Sequence, residues 1–303
     1  MLKKNFKPGD LVVTIICFFV IMLCVLPMIN LLAQSLSSSQ AVINNKVSFT
    51  PVVHNVEDNS YKNGVTLESY RYVFLDKAFA RSMWWTTILT VICTLFSLTM
   101  TILCAYPLTY GWLKGKTVIN TVIIFTMYFS AGTIPSYVLM KSLGLLNNPL
   151  VLIIPNCLSV FNMIILRSFF YGIPDSLRES AEIDGANPFT VLVRIYLPLS
   201  GPVLATLALF YAVGRWNGFG DALIYLDARA SIWYPIQLKL WTLIQNQTSI
   251  DISTVELVAG SIPRASDAIK AAAIMFATVP ILVVYPWLQR YFIAGVTIGA
   301  VKG

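Results

Sequence analysis

Charge is what this sequence has least of. Asp, Glu, Lys and Arg make up 12% of its 303 residues, against about a quarter of an average soluble domain, while 57% are hydrophobic. The scarcity is uneven. Six windows, 11–45, 82–113, 117–140, 142–166, 195–214 and 271–289, hold no charged residue at all. Each meets or nearly meets the ~20 apolar residues that carry a helix across a hydrocarbon core ~30 Å thick. That excludes a soluble enzyme and a disordered or fibrous chain. Histidine is almost missing too: His54 stands alone in a polar stretch, so no histidine pair is present to share a metal. Cys17, Cys24, Cys93, Cys104 and Cys157 all fall inside charge-free windows and none forms a Cys-x-x-Cys pair. Neither a disulfide framework nor a zinc site is indicated, and the cysteines read as small buried apolar residues. The net charge of +7 lies mostly on short segments beside apolar windows, where it marks membrane orientation and not a nucleic-acid partner.

What is there is a polytopic all-α membrane protein. The windows predict six spans, about 11–33, 82–110, 117–140, 145–166, 199–226 and 271–293. A short N-terminus, 1–10, precedes them and a tail, 294–303, follows. The first apolar run is longer than the ~7–15 residues of a secretory signal core and reads as a retained span. Residues 34–81 read as a soluble loop with a short helix over Thr66–Phe79 leading into the second span. Six spans put both termini on one side. Lys and Arg divide evenly between the two sides, so orientation rests on their density in short segments. Lys3, Lys4 and Lys7, and the tight turn carrying Lys114 and Lys116, favour cytoplasmic termini. That turn, Gly111-Trp-Leu-Lys-Gly115-Lys116-Thr117, is one residue short of the phosphate-binding pattern G-x-x-x-x-G-K-[ST] and no strand precedes it, so it reads as a positive-inside turn and not a nucleotide site.

The segment between the fourth and fifth spans, 167–198, has its own local grammar. Ser176 with Glu179 three residues on forms a capping-box pattern that predicts a helix from Leu177. Pro174 discourages an earlier start. Gly185 is placed to stop that helix in the left-handed conformation. Asn187 then caps a second helix with Pro188 at its first position, running through Phe189, Leu192, Val193 and Tyr196 until Pro198. A two-turn helix is too short to be stable alone. With Asp175, Glu179, Glu182 and Asp184 against Arg167, Arg178 and Arg194, the segment gains little from an anionic lipid surface. Docking onto a cytosolic protein fits it better, with Ser180, Ala181 and Ala186 allowing close approach.

Glu179-Ser-Ala181, Asp184-Gly185-Ala186 and Ile195-Tyr-Leu197-Pro198 resemble the EAA loop of binding-protein-dependent ABC importers. That pattern reads E-A-A, three residues, G, nine residues, I-x-L-P. Every spacing is met, with Ser180 for the first Ala. The closing Gly295-Val-Thr-Ile-Gly299-Ala-Val-Lys302-Gly303 is similar to the sugar-uptake branch, and more narrowly to maltose-type second permease subunits and their relatives for complex oligosaccharides. The resemblance, which covers the chain from residue 11 onward, implies the ABC importer permease fold. It also implies a second homologous permease subunit, two cytosolic ATPases that bind ATP and Mg, and an extracytoplasmic sugar-binding protein. The setting is the plasma (inner) membrane of a prokaryote. By the same resemblance, Ser176–Ala186 is the coupling helix, with Leu197 and Pro198 closing the motif, and Gly299, Lys302 and Gly303 add a tail contact to the ATPases. No cofactor is expected in this chain.

The outer half of the fifth span, Gly214-Arg-Trp-Asn-Gly218-Phe-Gly220-Asp, is unusual. Each interior glycine weakens a helix by ~1 kcal/mol relative to Ala, and irregular backbone at membrane depth belongs against a cavity or inside protein. Arg215, Trp216, Asn217 and Asp221 read equally well in two ways. They line a sugar path, with Trp216 stacking and Asn217 hydrogen-bonding, or they sit at the outer interface with Arg215 snorkelling. In the loop 227–270, Ile236, Leu240, Leu243 and Ile244 share a helical face that reads first as a membrane-surface helix. By the resemblance, residues around 245–249 reach into the binding protein and help release the sugar. A secondary transporter is the rival class; it would need internal repeats and a membrane-embedded ion site, and the sequence shows no convincing repeat and only Arg215 and Asp221 as candidate buried ionisable groups.

Overall fold

A computed structural model describes residues 8–55, 58–245 and 267–300. The described residues up to Ala80, with those of Leu240–Val279, form one compact unit; Arg81–Lys239 with the residues from Pro280 on form a second.

In the first unit, α1 (Pro8–Ser35) is apolar along its length and none of its apolar window is buried by the protein. Its surface is therefore left to lipid or to another chain. The polar stretch after it holds more structure than its composition suggests. After a short α2 (Ser39–Ile43), β1 (Val52–Asn55) and β2 (Ser60–Asn63) form an antiparallel hairpin. The serine run stitches this hairpin to the end of α1. Ser37 Oγ accepts the Val52 N–H at 3.0 Å, Ser38 Oγ accepts the His54 N–H at 3.0 Å, and the Ser38 N–H donates to the Val52 carbonyl. These serines are buried, as partnered polar groups can be.

The helix foreseen over Thr66–Phe79 is divided: α3 (Glu68–Leu75) ends at Asp76, whose Oδ1 accepts the Ala78 and Phe79 N–H groups at 2.8 and 3.3 Å. That cap starts α4 (Lys77–Ala105) five residues before the expected second span. Phe74 and Phe79 pack against Phe276, with centroids 5.0 and 6.4 Å apart.

In the second unit the expected third and fourth spans are not single helices. The third comprises α5 (Lys116–Tyr128) and α6 (Thr133–Ser142), bent by 115°. Gly132 at the break has φ +87°, a conformation open to glycine, and Pro135 sits in the first turn of the new helix. In the fourth, a 3₁₀ turn at Pro149–Leu152 and the Pro155-Asn156 step interrupt the apolar run. Only α7 (Val160–Phe170), capped by Ser159, is α-helical. Hydropathy registers side chains, whereas these breaks are set by backbone conformation and missing N–H donors.

Beyond α7 lie α8 (Asp175–Ile183), α9 (Pro188–Val191), a π-helical turn (Leu192–Tyr196), α10 (Leu197–Leu199), α11 (Gly201–Asn217) and α12 (Gly220–Tyr225). The unit's core joins Tyr106, Leu166, Phe170, Val191, Tyr196 and Leu207, all at or below 5% exposure. The sequence then gives α13 (Ile236–Gln245). Ile236 and Leu238 are buried in protein and the Ile236 N–H donates to Thr86 Oγ1 at 2.7 Å, so the start of this helix packs against the chain itself, while Ile244 at its far end is exposed. Most of 245–249 lies outside the described residues. The last helix, α14 (Asp267–Ala300), runs through Pro280 and Pro286 and takes in the start of the expected tail. Among the described residues, three helices are long and apolar enough to cross a membrane, or up to five if each bent pair is one span.

Candidate functional site

The helix–glycine–helix grammar of 173–198 forms, with two changes. α8 starts at Asp175 with Pro174 as its cap residue, and Ser176 lies inside the first turn without capping it. Pro174 has φ −58°, and its missing N–H costs nothing at a helix entrance, so the helix gains two residues over the expected start. At the other end Gly185 takes φ +82°; its N–H donates to the Glu182 carbonyl at 3.1 Å and the Ala186 N–H to the Ala181 carbonyl at 2.9 Å. This is a Schellman closure. Asn187 Oδ1 accepts the Thr190 N–H at 2.8 Å and caps α9, which begins at Pro188. The second change follows: helix continues past Pro198 to Leu199. The π turn, in which the Leu197 N–H bonds five residues back to the Leu192 carbonyl, re-registers the ladder ahead of a proline that cannot donate.

Ser176, Glu179, Ser180, Glu182 and Asp184 are exposed, while Ala181 and Ala186 turn toward the core. Ile183 is 87% exposed and Phe189 68%. The outer surface is thus small, acidic and punctuated by these two apolar side chains and by Leu177, also exposed. Leu197 is half-buried and Pro198 exposed. Beneath the element lies an aromatic cluster that sequence reasoning missed. Tyr106 meets Tyr110, Phe170 and Tyr196 edge-on at 5.1–6.2 Å. The Tyr106 hydroxyl donates to the Pro188 carbonyl at 2.9 Å. Of the tail residues, Gly299 lies within α14, and Lys302 and Gly303 lie outside the described residues.

The near-miss phosphate loop is a turn in which Gly115 has φ +77°. Lys116 Nζ donates to the carbonyls of Thr109 and Tyr110, both at 3.2 Å.

Arg215 and Asp221 come together in a cavity of about 960 Å³. The α-helix breaks at Gly218 and Phe219, and the ion pair spans that break. Arg215 Nη1 lies 2.5 Å from Asp221 Oδ2, and Nη2 donates to Oδ1 at 3.0 Å and to the Gly218 carbonyl at 2.9 Å. Nη1 also donates to the Leu152 carbonyl at 3.3 Å, and Asn156 Nδ2 donates to Asp221 Oδ2 at 3.3 Å. The two side chains are 7% and 13% exposed. Close approach explains Gly218: a Cβ there would stand 3.0 Å from the Gly214 carbonyl oxygen and 3.4 Å from Arg215 Nη2. A second link, Asn147 Nδ2 to Asp227 Oδ2 at 2.9 Å and the Asp227 N–H to Asn147 Oδ1 at 2.8 Å, holds the same two segments together further along.

Trp216 and Asn217 do not join this cavity. Trp216 is buried against a separate apolar cleft of about 290 Å³ with Pro280 and Ile281, and Asn217 is exposed, its Nδ2 donating to the Val213 carbonyl at 3.0 Å. The reading that placed all four on one sugar-contacting surface is thereby divided, because adjacent helical residues point ~100° apart. Residues not foreseen take their place: Asn156, Ser159, Phe161, Asn162 and Tyr211 line the cavity. Tyr211 carried a usable signal, four residues before Arg215 and so on the same helical face. A space this size, mostly apolar with a few converging polar groups, has the character of a small-molecule site.

Residues 64–298 match the family described as the binding-protein-dependent transport system inner membrane component. The chain is 38% identical over 282 residues, 93% of its length and 94% of the relative's, to the polygalacturonan/rhamnogalacturonan transport system permease protein YtcP of Bacillus subtilis. It is 44% identical over 240 residues to the protein LplC of the same organism, covering 78% of this chain and 79% of that one. A chain in the crystal structure of a bacterial ABC transporter involved in the import of the acidic polysaccharide alginate superposes with a TM-score of 0.83. It shares 29% identity, over 96% of this chain and 100% of that one. The chain belongs to the family of binding-protein-dependent transport system inner membrane components, as a permease subunit of the ABC importer class.

Proposed function

We propose that this chain is one of two homologous permease subunits of an ATP-driven importer for an oligosaccharide. It crosses the plasma membrane of a prokaryote six times with both termini in the cytoplasm. In this reading α5 with α6, the interrupted fourth segment, and α11 with α12 each count as one crossing, within a permease region 11–293. ATP, with Mg, is bound and hydrolysed by two cytosolic subunits, and an extracytoplasmic binding protein presents the sugar. The segment 167–198 is the coupling loop. Ser176, Glu179, Glu182 and Asp184 face an ATPase, Gly185 sets the turn, and exposed Ser180 permits close approach, while Ala181 and Ala186, expected on that surface, pack against the chain's own core.

The observation that carries this reading is an exposed, acidic two-turn helix closed by a left-handed glycine on a chain otherwise built of apolar helices. Such a helix needs a partner surface. The saccharide class is supported by the relatives' substrates and by the cavity, where Phe161 and Tyr211 stand beside the amides of Asn156 and Asn162 and the Arg215–Asp221 pair.

The test is purification of the chain with its neighbouring ATPase from membranes, followed by vesicle uptake of trigalacturonate. Glu179→Lys and Gly185→Asp should leave the subunit in the membrane and uncouple hydrolysis from uptake. Unimpaired uptake in both variants would remove the coupling assignment.

A further inference from the structure

The coupling reading says what the helix–glycine–helix element touches outside; the geometry points to what it grips inside. We propose that Arg178 and Tyr110 are positioning residues that clamp this element to the end of α4, and that α4 carries its displacement to the cavity through Thr101 and Tyr211. The inference rests on the coupling reading above.

Arg178 sits in the middle of α8, between exposed neighbours, yet its side chain is only 18% exposed. Its guanidinium lies over the Tyr110 ring, 5.3 Å from the centroid. Asp175 at 2.9 Å and Glu182 at 3.7 Å hold it there. An arginine reserved for a partner protein would stand outward; this one turns back, and a cation–aromatic contact shielded from water is worth more than one at the surface. Tyr110 in turn is 2.5 Å from the Tyr106 hydroxyl, which donates to the carbonyl of Pro188 at the start of α9. Both helices of the coupling element are therefore tied to two tyrosines just beyond α4.

Five residues before Tyr106, about 8 Å along a helix, Thr101 reaches the cavity wall. Its hydroxyl donates to the Ser97 carbonyl at 2.7 Å, which leaves it to accept from the Tyr211 hydroxyl at 2.7 Å, while Tyr211 accepts the Ser159 N–H at 3.2 Å. This chain of hydrogen bonds joins α4, α11 and the start of α7 at one point. Ser97, Ser159 and Tyr211 line the cavity. α4 and the turn that ends it thus meet the coupling element at one point and the cavity about a turn and a half away, a contiguous physical connection of the kind that can carry energetic coupling.

The experiment uses the complete importer in membrane vesicles, with this chain's five native cysteines replaced by alanine, Phe161→Cys as a reporter in the cavity wall, and labelling read on this chain alone after the subunits are separated. Labelling by N-ethylmaleimide is compared without nucleotide and after ATP–vanadate trapping. In the parent the two rates should differ by about fivefold or more, the lower end of coupling between distant sites. Arg178→Met and Tyr110→Leu should bring the ratio toward one while the ATPases still co-purify. Tyr110→Phe, which keeps the ring under Arg178, should preserve it. An unchanged ratio in both disruptive variants overturns the clamp, as does a ratio lost equally in Tyr110→Phe. Loss of the ATPases from the Arg178→Met complex also overturns it, since Arg178 would then be an outward contact. Should Tyr110→Leu fail to accumulate, Arg178→Met decides alone. A parent complex that binds no ATPase is a different result and removes the coupling reading itself.

Discussion

Replacing Asp221 by leucine is the sharpest perturbation of the cavity. Its carboxylate supplies both oxygens that face the Arg215 guanidinium. Once it is gone, the carbonyls of Gly218 and Leu152 still accept from Arg215, but they bring no compensating charge, and the side chain is 93% sequestered from solvent, being 7% exposed. Removing one partner of a buried ion pair costs ~3–5 kcal/mol, most of it the penalty of the stranded charge. The double variant Arg215→Met/Asp221→Leu strands nothing and should recover most of that loss, because apolar replacement of a buried pair is often neutral. Unfolding in mixed micelles titrated with sodium dodecyl sulfate, followed by circular dichroism, gives the four corners of the cycle. A coupling energy of ~2–3 kcal/mol is expected for groups in direct contact. An Asp221→Leu variant within ~1 kcal/mol of the parent, or a double variant that loses the sum of the singles, would show that the pair is not desolvated as described.

Gly218→Ala forces its Cβ against the Gly214 carbonyl and the Arg215 guanidinium and should cost ~1–3 kcal/mol as an overpacked site; the same unfolding titration checks it. Asn187→Ala removes the α9 cap and should cost ~1 kcal/mol, seen as faster proteolysis or hydrogen exchange at 186–192, with no change there if the cap is idle. Asn217→Ala, exposed and outside the cavity, should leave uptake intact. A large uptake loss would return Asn217 to the sugar path.

Much of this architecture is legible in the sequence, and the failures share a cause. Gly185, Asn187 and Pro188 each announce a local backbone event, and local events survive folding: left-handed turn, cap and first helical residue all form. Apolar windows find where apolar helices lie but not where they break, because Gly132, Pro149 and Pro155 act on the backbone while hydropathy weighs side chains. The soluble loop hid a hairpin held by buried serines, whose partners are 15 or 16 residues away. At the cavity, Arg215 and Asp221 stand out as charges in an apolar run. Asn156 does not, since only the tertiary fold brings a residue 65 positions away to Asp221. The Trp216 ring suits sugar stacking by its chemistry, but it lines a separate apolar cleft, since neighbours on a helix face different sides.

We propose α8 as the surface on which a cytosolic ATPase seats, and Ile183, 87% exposed at its end, reports on that contact most directly. In membranes containing the whole importer, Ile183→Cys on a cysteine-free background should be labelled slowly by a maleimide while the ATPases are bound. Labelling should become fast after they are stripped with urea, by about tenfold or more for a side chain passing from interface core to water. Equal labelling with and without the ATPases would contradict the account.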